Sequence, residues 1–243
     1  RTMKKLTGLT LALATLTFTY VAADHHGSGA AHPFNGKNLL DWSFKEKKAK
    51  NGKLIKPKWV VGKPNLAKDN EGALAADAGE GAMVNLVSGH GQSLDIYSNA
   101  KFGSARIEVE LLVAKGANSG VYLMGEYEVQ VLDSYGKEKM GNGDMGAVYG
   151  ATPPKVNACK KPGEWQKYVF EYEAPKFNAD GKKTSNFKLL KVELNGEILQ
   201  ENLELKGPTP SGVTGKEAAK GPIMFQGDHG PVAYRNITVT PLK

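Results

Sequence analysis

The stretch Asn118 to Asp133, NSGVYLMGEYEVQVLD, decides the fold, because two apolar runs meet at the tetrapeptide MGEY, residues 124–127. In the second run, apolar residues at 127, 129 and 131 alternate with Glu128 and Gln130. A period of two is typical of a strand with one face in a core, so the stretch predicts a β-hairpin. The opposite row is polar and acidic. It is either a solvated outer face or a sheet face that binds a polar ligand.

The rest of the chain shows the same kind of pattern, with short strands separated by Gly, Pro, Asn and Asp. Beyond the hairpin, the predicted strands are 59–62, 73–76, 82–88, 104–113, 166–173, 186–194, 197–200, 222–226 and 232–241. Asn195-Gly196 is a strong type I′ hairpin turn, because both positions tolerate a positive φ. No convincing amphipathic helix interrupts the strands. This pattern predicts an all-β fold, either a sandwich or a barrel.

The N-terminal segment is typical of a secretory signal peptide. Lys4 and Lys5 precede an uncharged apolar run at 6–21, and small residues lead up to Asp24. We therefore expect an exported protein, periplasmic or extracellular, with no membrane span after the signal is removed. The expected segments are a signal peptide at 1–23, a flexible leader at 24–33 and one domain at 34–243.

Charge and cysteine content exclude some classes of function. After residue 23 the chain carries 29 basic against 25 acidic residues, a near balance that argues against a nucleic-acid partner. Cys159 is the only cysteine, so no intrachain disulfide is available. No His neighbours it in sequence, and we interpret it as a structural thiol.

Two long loops, 134–165 and 206–221, are predicted to rim one site, because a sandwich carries its binding residues on loops and on one sheet face. The first loop returns towards the sheet and brings Tyr149 near the polar face. Trp165, which opens a strand, either stacks on a sugar ring or lies in the core.

The best candidate for acid-base chemistry is Gly227-Asp228-His229-Gly230, which follows Gln226 between two predicted strands. Histidine titrates near neutrality and is the usual proton-transfer residue. The spacing of Glu126, Glu128 and Gln130 is similar to the carboxylate ladder of retaining β-glucanases. However, Gln130 lacks a carboxylate, which weakens that interpretation.

Several motifs, in their order along the chain, resemble the 3-keto-disaccharide hydrolase family, also called DUF1080. They are FNGKNLLDW (34–42), NSGVYL (118–123), YEVQVLDSYG (127–136), GAVYG (146–150), PGEWQKY (162–168) and AYRNITVTPL (233–242). A Gln-x-x-His-Gly stretch of the family corresponds to Gln226 and His229. Met124 departs from the pattern, because many relatives carry Arg there.

The resemblance implies a concanavalin A-like jelly-roll β-sandwich of two antiparallel sheets. It also implies hydrolysis of an oxidised glycoside, in which a ketone at C3 acidifies the C2 proton and the anomeric group is eliminated before water adds. Either Glu128 or His229 is the base, and either Arg235 or a divalent metal ion stabilises the enolate. The expected catalytic residues are Glu128, His229 and Asp133, and the expected substrate contacts are Glu126, Gln130, Tyr149, Trp165, Gln226 and Arg235.

Two other functions remain open from the sequence. One is a non-catalytic carbohydrate-binding sandwich, because this fold serves both purposes. The other is a conventional two-carboxylate glycosidase.

Overall fold

Fifteen β-strands and no α-helix make up residues 29–242, the part of the chain that the computed structural model describes. The strands are β1 Trp42–Phe44, β2 Trp59–Ala67, β3 Asn70–Ala78, β4 Ala82–Asn85, β5 Ile96–Ser98, β6 Ala105–Val113, β7 Asn118–Leu123, β8 Tyr127–Leu132, β9 Gln166–Glu173, β10 Lys176–Phe177, β11 Lys183–Ser185, β12 Phe187–Leu194, β13 Glu197–Leu205, β14 Met224–Phe225 and β15 Val232–Pro241. Within these residues no helix is available to cross a membrane. The predicted signal peptide, and residues 24–28 of the predicted leader, lie outside the described range.

The strands form two antiparallel sheets. The smaller sheet has the order β1-β5-β14-β7-β8, and the larger has the order β13-β12-β9-β6-β15-β4-β2-β3. A separate two-stranded ribbon pairs β10 with β11. The predicted all-β sandwich is therefore confirmed.

The core lies between the two sheets and is built from the alternating rows that the sequence predicts. On β6, residues 105, 107, 109, 111 and 113 are buried, while Arg106, Glu108 and Glu110 on the other face remain partly exposed. Residues 127, 129 and 131 of β8 join the same core cluster. Burial of these two rows fixes the register of both sheets, since a slip by one residue would turn each row outwards.

The hairpin turns where the sequence predicts. Three residues, 124–126, lie between the paired ends of the two strands. Met124 and Gly125 have positive φ values of 54° and 72°, and the Glu126 amide donates to the Leu123 carbonyl at 3.1 Å. Strand β7 then pairs with β8 from Asn118↔Leu132 to Leu123↔Tyr127.

Two short strands of the smaller sheet, β1 and β5, were not predicted. Each has three residues, which is too few for a period of two to stand out. The chain before β1 is also paired, because Ala31, assigned to the leader from the sequence, forms a bridge with Val239.

Candidate active site

The outer face of the smaller sheet carries two rows of side chains that cross neighbouring strands. In the first, the register of β5, β14, β7 and β8 continues through Asp95, Gln226, Gly120 and Gln130. In the second, it runs through Tyr97, Met224, Tyr122 and Glu128. Paired residues of a sheet point to the same face, so these rows bring polar groups from four strands together.

Glu128 lies over Gly120, in space that only a glycine leaves open. A Cβ atom at Gly120 would come within 2.3 Å of the Glu128 carboxylate. Glu128 is 2% exposed, and burial raises its pKa to about 7. The Tyr122 hydroxyl lies between this carboxylate and the Pro210 carbonyl, 3.3 Å away. The Tyr122 hydroxyl has one proton, and the Glu128 carboxylate is a stronger acceptor for it than the Pro210 carbonyl. The hydrogen bond from Tyr122 to Glu128 limits the rise in the Glu128 pKa.

Three hydrogen bonds hold the segment 227–230 against the sheet. The Asn85 amide donates to the carbonyls of Gly227 and Gly230 at 2.7 and 3.0 Å, and the Gly227 amide donates to the Asp95 carboxylate at 2.9 Å. A Cβ at Gly227 would come within 2.1 Å of the Leu94 carbonyl, so this close approach requires glycine.

Asp228 and His229 form a bonded pair at the end of this segment. One Asp228 oxygen contacts His229 Nδ1, and the other contacts the Lys47 ammonium. The Asp228 carboxylate raises the pKa of His229. Burial alone would raise the pKa of Asp228, but the hydrogen bonds of His229 and Lys47 hold it well below its usual range. On its other side, His229 Nε2 lies 3.2 Å from His90 Nε2.

A cleft of about 290 Å³ opens beside this pair. Its charged and titratable lining consists of Lys45, Glu46, Lys47, Asp95, Asp228 and His229. Burial raises the pKa of Asp95, although the Gly227 amide opposes the rise. Gln226 also lines the cleft, and Glu128 is close enough that the charges of His229, Asp95 and Asp228 act on its pKa.

The second predicted loop, residues 206–221, crosses the outer face over Glu128, and we name it the strap. Thr209 Oγ1 accepts from the Glu128 amide at 2.8 Å, while the Ser211 carbonyl accepts from Lys45 Nζ at 2.7 Å. Glu128 does not line the cleft and is buried.

Glu126 anchors the strap. Its buried carboxylate accepts hydrogen bonds from the Thr214 amide at 2.8 Å, the Thr214 hydroxyl at 2.7 Å and the Gly215 amide at 2.9 Å. Its carbonyl accepts from the Thr209 amide at 2.9 Å. All of these partners belong to the strap, so Glu126 contacts protein where the sequence suggested substrate.

Three other predicted site residues, Asp133, Arg235 and Trp165, lie away from this cluster. Asp133 caps a turn at the far end of β8, accepting from the Gly116 amide at 2.9 Å. Arg235, on β15 of the larger sheet, donates to Glu110 at 2.7 Å and lies 3.8 Å from the Trp165 ring centroid. Its neighbour Tyr234 is in the core, so Arg235 faces outwards from the larger sheet.

Tyr149 and Gln130 do lie beside Glu128. Residues 146–149 run along β8, with the Tyr149 amide donating to the Glu128 carbonyl at 3.2 Å and the Gln130 amide donating to the Ala147 carbonyl at 2.9 Å. This pairing sets Tyr149, 42% exposed, opposite Glu128 on the same face. Gln130 donates to Asn118 at 2.7 Å, but its buried Oε1 has no partner among the described residues.

The structure thus brings together Glu128, His229, Gln226, Gln130 and Tyr149. Sequence reasoning missed Tyr122, Asp95 and His90. Tyr122 carried a usable signal, because it lies opposite Glu128 in the predicted hairpin. Asp95 and His90 carried no such signal, because they precede β5, a strand too short to recognise in the sequence.

The family's sequence profile, that of the 3-keto-alpha-glucoside-1,2-lyase-like domain, matches residues 29–240. Among solved structures, a candidate glycosyl hydrolase of Parabacteroides distasonis ATCC 8503 is 30% identical, with a TM-score of 0.60 over 88% of this chain and 84% of that chain. A second candidate glycosyl hydrolase of the same organism is 19% identical, with a TM-score of 0.55 over 89% and 95% of the two chains, and supports the fold alone. Among curated proteins, no relative matches.

Proposed function

Because the chain belongs to the 3-keto-alpha-glucoside-1,2-lyase-like domain family, we propose that it cleaves the glycosidic bond of glycosides that carry a ketone at C3. The observation that carries this proposal is Glu128, a buried carboxylate whose pKa is raised to about 7 beside a cleft with an Asp-His pair. A general base works best when its pKa lies near the working pH.

In this proposal Glu128 removes the proton from C2 of the sugar. A ketone at C3 makes that proton acidic, because the electron pair left on C2 delocalises onto the ketone oxygen. An unoxidised sugar has no such stabilisation and is not a substrate. Burial favours this step, since a desolvated carboxylate is a stronger base than an exposed one.

The positive groups of the cleft face the charge that develops on the ketone oxygen. Lys47 pairs with Asp228, and Lys45 is held by the Ser211 carbonyl. Donors that are fixed before the reaction stabilise developing charge without reorganising. These side chains replace Arg235 in that role, because Arg235 pairs with Glu110 on the other sheet.

The enolate then expels the anomeric oxygen. The C1–O bond breaks as a double bond forms between C1 and C2, and protonated Glu128 returns its proton to the leaving oxygen. Water next adds across the double bond, with hydroxide at C1 and a proton at C2. The balance is one glycoside and one water consumed, with one 3-keto sugar and one alcohol formed.

Substrate contacts come from side chains that surround Glu128. Gln130 Oε1 is a buried acceptor that lacks a partner among residues 29–242, and a sugar hydroxyl would satisfy it. Tyr149 offers an exposed ring on the same face, and Gln226 lines the cleft. A sugar can reach Glu128 only if a neighbouring segment moves, because Glu128 is 2% exposed. In this proposal the strap moves, since its Thr209 and Pro210 contact the Glu128 amide and the Tyr122 hydroxyl.

Hydrolysis in D₂O tests the proposed chemistry. We expect cleavage of a 3-keto-glucoside, with one deuterium at C2 of the released sugar, and no cleavage of the matched unoxidised glucoside. Mass spectrometry and proton NMR measure both results. Cleavage of the 3-keto substrate without deuterium at C2 would exclude elimination.

A two-carboxylate glycosidase is the second candidate, favoured by Asp95. This carboxylate lines the cleft, is largely buried, and raises the Glu128 pKa through its charge. Two carboxylates with perturbed pKa values are the usual machinery of that class. Equal rates on oxidised and unoxidised glucosides would favour this candidate, while binding without any turnover would favour a carbohydrate-binding module.

We further propose that the protein acts outside the cytoplasm, as the N-terminal sequence pattern supports. N-terminal sequencing of exported material should begin at or near Asp24. A product that retains residues 6–21 would contradict export by signal cleavage.

A further inference from the structure

Two histidines from separate loops meet at the mouth of the cleft. His90 lies between β4 and β5, His229 follows β14, and their Nε2 atoms are 3.2 Å apart with the rings at 87°. The Gly91 amide donates to the Asp228 carbonyl at 2.6 Å, which ties the two loops together. The backbone therefore sets this approach of the two rings.

Asp228 determines which His229 nitrogen is free. Its contact with His229 Nδ1 favours the tautomer with the proton on that nitrogen, in which the Nε2 lone pair faces His90. Asp228 is itself 8% exposed and held by Lys47. Metal-binding histidines commonly donate their second nitrogen to a carboxylate in this way, which orients the ring.

The 3.2 Å separation also fits two ligands of one ion. Imidazole nitrogens bind a zinc-type ion at about 2.0–2.1 Å, and two such ligands at an angle of about 100° are about 3.2 Å apart. We propose that His90 Nε2 and His229 Nε2 bind one divalent transition-metal ion, with Asp228 behind His229 and the remaining coordination positions open to the cleft. Imidazole ligands suit Zn²⁺, Co²⁺ and Ni²⁺ better than Mg²⁺ or Ca²⁺.

The open positions define a class of ligand. A 3-keto sugar carries a carbonyl oxygen at C3 and a hydroxyl at C2, and these neighbouring oxygens chelate one ion as a five-membered ring. An ion there would polarise the ketone as a Lewis acid. This role rests on the proposed function, whereas the binding of the ion does not.

Metal titration tests the site without any turnover. The full chain is stripped with a chelator and titrated with Co²⁺ alone, followed by calorimetry and by the visible absorption of the bound ion. We expect one equivalent per chain. His90→Ala should weaken binding about tenfold or more, and Asp228→Asn should weaken it about 10–100-fold. His90 is exposed, so its variant should keep the fold, which circular dichroism checks.

The other histidines supply matched controls. His25 and His26 near the N-terminus are a rival source of metal affinity, so a variant with both changed to Ala should retain the bound equivalent. His32→Ala should retain it as well, since His32 contacts Thr238. Absence of binding by the parent, full binding by folded His90→Ala, or loss of binding in the His25/His26 double variant would each overturn the site.

A second measurement tests the ligand class. The Glu128→Gln variant, loaded with Co²⁺, should shift its visible absorption when a 3-keto-glucoside is added and should not respond to the unoxidised glucoside. If Co²⁺ binds but neither sugar shifts the spectrum, the ion has no role with the substrate and that part of the inference fails. If no ion binds while C2 deuteration occurs, the metal site fails and the proposed function stands.

Discussion

Two glutamates next to the hairpin turn have opposite surroundings. Glu126, beside the turn, accepts three hydrogen bonds from the strap through its carboxylate. Glu128, two residues on, lies over Gly120 with Tyr122 as its hydrogen-bonding neighbour, and burial raises its pKa to about 7. Both are buried. A carboxylate that accepts hydrogen bonds at both oxygens serves as a structural anchor, whereas a buried carboxylate with few donors remains reactive.

The largest expected effect is at Glu128. Glu128→Gln keeps the shape and removes the base, so turnover of a 3-keto-glucoside should fall by about 10²-fold or more. Steady-state kinetics measure it. Tyr149→Phe, on the same face, is the control and should lose much less. Equal activity of Glu128→Gln and the parent would remove Glu128 from the mechanism.

The same variant should be more stable than the parent above neutrality. The folded pKa of Glu128, about 7, lies above its ordinary value of 4.5. The folded state therefore holds a proton that the unfolded chain releases between these values, and stability falls as pH rises through that window. Glu128→Gln removes the cost, so its free energy of unfolding at pH 8 should exceed that of the parent by about 1–3 kcal/mol. Urea denaturation measures it, and a less stable variant would contradict the assigned pKa.

Glu126 should behave in the opposite sense. In Glu126→Gln an NH₂ group faces donors of Thr214 or Gly215, so the free energy of unfolding should fall by about 2 kcal/mol. Turnover should stay close to that of the parent. Glu201→Gln is the control, because Glu201 pairs with Lys155 at the surface and should change stability by less than about 1 kcal/mol. A Glu126 variant that keeps its stability and loses activity would reverse the contrast.

The pH profile should identify Glu128 as the base. With a pKa of about 7, the value of kcat/KM should rise about tenfold from pH 6 to pH 8 as the carboxylate ionises. The facing groups are Tyr122, Asp95, Asp228 and His229, and the Tyr122 hydrogen bond lowers the Glu128 pKa. Tyr122→Phe should therefore move the rising limb to higher pH. An unmoved limb would assign it to another group.

The smallest effect is expected on the larger sheet. Arg235→Ala removes the pair with Glu110 and the contact with Trp165, and should change kcat/KM by less than about twofold, since Arg235 faces away from the cleft. Lys167→Ala, whose ammonium pairs with Glu108 on the same face, is a matched control. A tenfold rise in KM for Arg235→Ala alone would restore its predicted contact with substrate.

The sequence predicts most of what local pattern controls. The alternation at 127–131 predicts β8 and the polar row with Glu128, and the glycines around Asp228 and His229 mark a turn at a strand end. The sequence cannot predict which strands and loops pair when they are distant along the chain. Asp95 joins the site only because the three-residue β5 pairs with β14, and His90 only because Gly91 bonds Asp228.

Two predicted site residues, Glu126 and Arg235, lie in surroundings that the sequence does not show. The spacing of Glu126 and Glu128 would put both on one sheet face, but Glu126 lies in the turn before β8, and its carboxylate binds the strap. Likewise, position along β15 does not reveal which face Arg235 occupies until its neighbour Tyr234 is seen in the core. Which carboxylate is free depends on residues more than 80 positions away in the chain.

In the proposed mechanism, ligand affinity depends on how often the strap stands away from Glu128. A ligand that binds only the open form has an apparent Kd equal to its intrinsic Kd divided by the open fraction, so a form open about 1% of the time weakens binding about 100-fold. Substitutions that loosen the bonds of Glu126 to the strap therefore tighten apparent binding while they lower stability. Selection for affinity and selection for a stable fold act on the same hydrogen bonds in opposite directions.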